Sequence, residues 1–66
     1  MVTRMELEAR LKVAVARVHR AAGIDLAEKH LESLARVYAD WGEGADEGIV
    51  DRIERALAKS LGLSFH

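Results

Sequence analysis

The chain has neither cysteine nor proline among its 66 residues. Without cysteine there are no disulfides and no thiolate metal sites. Without proline no helix is interrupted by a ring that lacks the N–H donor. Aromatic residues are almost as scarce: Tyr38, Trp41 and Phe65 are the whole set. A basic surface without interleaved aromatics offers no stacking platform for single-stranded nucleic acid. No uncharged apolar run approaches the ~20 residues that a membrane span needs. The opening Met1-Val2-Thr3-Arg4-Met5-Glu6 is charged at once and lacks a secretory apolar core, which points to the cytoplasm.

What is present is ordinary for a folded domain: half the residues are apolar and about a third are charged. The length allows one helical domain over 1–66, with 62–66 as a short tail. A domain this small buries only ~60% of the surface its unfolded chain exposes, so its stability is marginal. With disulfides excluded, tight helix packing or self-association is the expected source of extra stability.

Three apolar sets recur at steps of three and four, each on one side of a helix. Leu7, Leu11, Ala14, Val18, Ala21 and Ala22 form the first. Ala27, Leu31, Leu34, Tyr38 and Trp41 form the second, and Ile49, Ile53, Leu57 and Leu61 the third. No alternating strand pattern interrupts them. The spacing predicts an all-α three-helix bundle with helices over about 4–22, 26–41 and 46–61, open to completion by homo-oligomerisation.

Capping chemistry supports these limits. Thr3 with Glu6 reads as a capping box, and Asp25 with Glu28 repeats the signal. Asp46 is the best N-cap before the third set, with Glu47 in the first turn. Gly23, Gly42 and Gly62 stand where helices stop. Glu6–Arg10, Glu8–Lys12 and Glu32–Arg36 are spaced as i,i+4 pairs with the acid first.

Charge is uneven along the chain. Residues 1–22 carry five basic against two acidic residues, a balance of +3. Residues 23–48 carry two against seven, a balance of −5, and residues 49–66 three against two, a balance of +1. The basic first third and acidic middle are set to attract each other, within one chain or between copies. Arg10, Lys12, Arg17 and Arg20 are the candidate contacts to an anionic partner.

Catalytic constellations are missing. His30 has no cysteine to activate, and no Ser/His/Asp arrangement is readable. Asp40, Glu43, Asp46, Glu47 and Asp51 crowd the second connection, but Ala45 stands where a calcium loop needs its glycine. No catalytic residue, cofactor or metal site is expected. Helix 1, Gly23 and helix 2 have the outline of a helix-turn-helix. The would-be recognition helix, however, offers Asp25, Glu28 and Glu32 to a phosphate-lined groove, and Lys29 stands where such a motif wants an apolar residue.

What remains is surface. Val13 and Val15, with Leu11 and Val18, spread the apolar part of helix 1 beyond one narrow side. Tyr38 and Trp41 lie one turn apart, and Phe65 stands in the tail. These five residues are the expected protein-interface set. The reading is a non-catalytic helical interaction module, its partner a second copy or another protein, in the role of regulator, inhibitor, adaptor or assembly subunit. The alternative is a small dimeric nucleic-acid-binding regulator using the basic face of helix 1 or the hairpin.

Overall fold

A computed structural model describes residues 3–44 and 48–63. It holds three helices, α1 over Arg4–Ala21, α2 over Glu28–Gly42 and α3 over Ile49–Ser60, and no strand among the described residues. The molecule is a small all-α three-helix bundle. α2 and α3 both pack on α1 and scarcely touch each other. The result is a slab with principal extents of 32, 28 and 13 Å.

α1 starts as its sequence dictates. The Thr3 hydroxyl accepts the Glu6 backbone N–H at 3.2 Å, satisfying one orphan donor of the first turn. Its end is a Schellman turn. The Ile24 N–H donates to the His19 carbonyl at 2.8 Å and the Gly23 N–H to the Arg20 carbonyl at 3.0 Å. Gly23 takes φ +79°, a conformation that L side chains rarely adopt. The same construction closes α3, where Leu63 donates to Ala58 and Gly62 to Lys59.

Two expected starts are corrected. α2 begins at Glu28 rather than near Leu26, with Ala27 as N-cap and no side-chain cap bond. Asp25 is exposed in the connection and caps nothing. The first turn of α2 faces solvent, so water can satisfy its orphan donors without a side chain. α3 begins at Ile49 with Gly48 at its N-cap. The expected caps Asp46 and Glu47 lie outside the described residues, as does Phe65.

α1 is the centre of the slab because it has a neighbour on two sides. Leu7, Leu11, Ala14, Val15 and Val18 are all buried, an i, i+4, i+7, i+8, i+11 arc wider than one stripe. Val15, expected at an interface, is only 1% exposed and belongs to the chain's own core. Val13 points the other way and is 61% exposed. The breadth of the apolar surface of α1 is thus met largely from within the chain.

α2 turns a different row inward from the one its large residues mark. Leu31, Ala35, Ala39 and Gly42 are buried. Leu34 and Tyr38 are half-buried, and Trp41 is 76% exposed. Ala35 and Ala39 join Leu7, Leu11 and Ile53 in one core cluster. Small side chains on α2 let it come close to α1, and that rotates the bulky row to the flank. Gly42 extends the close approach to α3: a Cβ placed there would lie 3.0 Å from Cγ1 of Ile49.

Candidate interaction surface

The rotation of α2 builds one groove on the surface. Where α2 and α3 diverge they leave a groove of about 350 Å³, lined by Tyr38 and Trp41 on one side and Ile53, Ala56 and Leu57 on the other. Tyr38 and Trp41 meet edge to face, with ring centroids 5.8 Å apart and planes at 79°. That geometry places the positive edge of one ring against the negative face of the other. Tyr38 also packs against the core, so it braces an indole that is itself mostly in water. Val37, 49% exposed, lies one turn before Trp41 and extends the apolar surface along α2.

A second groove, of about 530 Å³, runs between α1 and the start of α3. Ala9, Val13 and Val50 give it apolar walls, and Arg10, Arg17 and Asp51 give it a charged rim. The two candidate interface valines therefore part company: Val13 lines this groove and Val15 is in the core.

The basic candidates of α1 are largely answered by acids of the same chain. Lys12 Nζ pairs with Glu28 and lies 3.8 Å from Glu32, both on α2. This raises the Lys12 pKa above its ordinary value, chiefly through the hydrogen bond to Glu28, against a smaller opposing effect of desolvation. Arg17 Nη2 lies 2.8 Å from a Glu54 carboxylate that is itself mostly buried. Arg10 and Arg20 stay exposed on α1, without an ion pair among the described residues. The i,i+4 pairs expected along α1 are re-sorted: Glu8 pairs within the helix with Arg4, four residues before it, and Lys12 turns to α2.

Arg4 is the polar residue that sequence spacing did not mark. Its guanidinium reaches Glu8 at 3.1 Å, Asp40 at 2.7 Å and Glu43 at 3.0 Å, and it donates to the Arg36 carbonyl at 3.4 Å. It ties the start of α1 to the end of α2, just behind Trp41. A planar fork with five donors suits several oxygens at once, which a lysine would not match. The carboxylates raise its pKa further, Asp40 contributing most. The opposite charges of the first third and the middle of the sequence were its only advance sign.

No polar or charged residue is fully buried among the described residues, and Glu54 comes nearest among the ion-paired acids. No group of three or more His, Asp or Glu side chains there is placed to share a metal ion. His30 and Ser33 are exposed on α2. His19 is tied locally, its Nδ1–H donating to the Val15 carbonyl at 2.8 Å. Among the described residues no helix is long and apolar enough to cross a membrane. No family model, curated protein or solved structure matches the chain.

Proposed function

We propose that this chain is a non-catalytic helical interaction module whose contact surface is the open side between α2 and α3. The observation that carries the reading is Trp41. It is 76% exposed, braced by Tyr38, and set at the edge of an apolar groove. An indole buries ~150–250 Å² when covered, which at ~25 cal/mol per Å² is about 4–6 kcal/mol before the costs of association. Tryptophan and tyrosine in such settings are the residue types that carry most of the binding energy at protein interfaces. Affinity would come from apolar burial, and the charged residues around it would set orientation.

A photo-crosslinking benzophenone side chain placed at Ser60, an exposed position that lines the groove, tests this and leaves Trp41 in place. The control carries it at position 55, an exposed site on α3 that does not line the groove. The reading expects a discrete protein adduct from position 60 in cells, removed by Ala56→Glu, and none from position 55. Equal, unspecific labelling from both positions would contradict it.

A further inference from the structure

We infer that the occupant of the α2–α3 groove is the Trp41 side of a second copy of this chain, in a two-fold contact where each indole enters the other's groove. The inference rests on the interaction reading above and names its partner.

Three observations carry it. The first is the arrangement of the surface. Trp41 projects from the rim of the same groove that would receive it, so protrusion and receptacle sit on one face. A two-fold contact requires this: residue i meets j while j meets i. The groove, about 350 Å³, is of the size that takes a single ring system.

The second is layering. Stable domains close their core between two packed layers. This chain is 13 Å through its thinnest direction, and α2 and α3 scarcely touch. Tyr38 reaches the core cluster but stays partly open, and Leu57 beside it in the groove is half-buried. A second slab laid on that side supplies the missing layer with the same apolar residues.

The third is area and charge. A standard interface covers about 800 Å² per partner, roughly one sixth of the 4809 Å² surface of this chain. The groove, Trp41 and Val37 form a continuous side on which such a patch can lie. Arg52 is the one charged residue lining the groove, and no carboxylate lines it. The other six lining residues are uncharged, and the Trp41 side of a neighbouring copy presents an uncharged counterpart to them.

The test uses the full chain and two substitutions that disable opposite halves of the contact. Trp41→Ala removes the protrusion together with one wall of the groove, and leaves the part formed by Tyr38, Ile53, Ala56 and Leu57. Ala56→Glu blocks the groove and leaves the indole, at an exposed helical position where glutamate is well tolerated. Light scattering is read on each protein and on their equimolar mixture, with helicity followed by circular dichroism. The wild-type chain is expected at twice its 7.3 kDa mass. Each variant should dissociate, its Kd raised on the order of 30-fold or more, as for loss of one hot spot. The mixture should regain dimers in part, because the indole of the Ala56→Glu chain can enter the groove that Tyr38, Ile53 and Leu57 still form in the Trp41→Ala chain, restoring one of the two contacts. A wild-type monomer at every concentration, variants as dimeric as wild type, or a mixture no more dimeric than its components would each overturn the inference. If Trp41→Ala fails to fold, Ala56→Glu alone still decides: a folded, undiminished dimer overturns the proposal. A monomer that still yields an adduct with a different protein from position 60 removes the second copy and keeps the interaction module. A monomer with no adduct removes both.

Discussion

Arg4 Nη2 lies 2.7 Å from Asp40 Oδ1, joining the first turn of α1 to the last turns of α2, 36 residues later in the chain. Asp40 stands next to Trp41, so the clasp fixes the stretch of helix that presents the indole. The residue at position 4 thereby governs the geometry of a surface at position 41. Replacing it with methionine keeps much of the stem and removes the fork. Arg4→Met is expected to lower the melting temperature and to loosen the end of α2, read as faster amide exchange over residues 38–43. The loss should shrink as salt is raised, because these ion pairs are solvent-facing and screened. Arg4→Lys should recover only part of it.

The core makes a sharper demand. Leu11 is fully buried and Val15 is 1% exposed. Truncating a buried leucine to alanine costs about 2–5 kcal/mol. A chain of this length has only ~3–10 kcal/mol in total. Leu11→Ala should therefore leave the protein partly unfolded at room temperature, measured by urea titration. Val15→Glu should unfold it outright, whereas Val13→Glu, on the exposed side of α1, should keep full helicity.

That contrast between neighbouring valines shows where sequence reasoning ran out. Helix number, helix type and approximate ends follow from the spacing of Leu7, Leu11, Val18, Leu31 and Ile53, together with Thr3, Gly23 and Gly62. The facing of each helix does not follow as readily. A periodicity argument weights large side chains, and on α2 these are Leu34, Tyr38 and Trp41. The fold instead buries Ala35, Ala39 and Gly42, because small residues permit close approach to α1. The same choice exposes Trp41. Val15 looks surplus if the other two helices cannot cover the whole apolar breadth of α1, and in the fold it is buried within the chain. The charge imbalance announced an attraction between the first and middle thirds. The concentration of three carboxylates on Arg4 emerges only when the two helix ends are brought together.

Glycine conformations carry their own consequences. Gly23 has φ +79° and nothing within 4 Å of a Cβ placed on it. Gly23→Ala should therefore cost only the left-handed backbone penalty, about 1–2 kcal/mol. Gly42 is the reverse case, without a positive φ but with Ile49 3.0 Å from the added carbon. Gly42→Val should cost about 1–3 kcal/mol by overpacking. Truncating Ile49 to alanine in the same chain should relieve part of that loss, which a double-mutant cycle in urea will measure.

Lys12 gives a pH signature. Its folded pKa is raised by Glu28 above the usual value for lysine of about 10.4. The stability contributed by the pair is fully present below that usual value and is lost as pH rises through the folded one. The difference in melting temperature between wild type and Lys12→Gln should be steady from neutral pH to about pH 9 and should close above roughly pH 10.5. A difference that widens in alkali would contradict the pairing.

The most direct test of the interaction surface uses the chain's single tryptophan, so that emission reports position 41 alone. Emission maximum and acrylamide quenching are followed as the protein is concentrated, beside its mass in solution. The account predicts a water-exposed indole in dilute solution that shifts to the blue and becomes protected from quencher as the mass doubles. An indole that stays fully quenchable and red-shifted while the mass doubles would place the contact elsewhere, and one that stays so with no change in mass would deny the contact altogether.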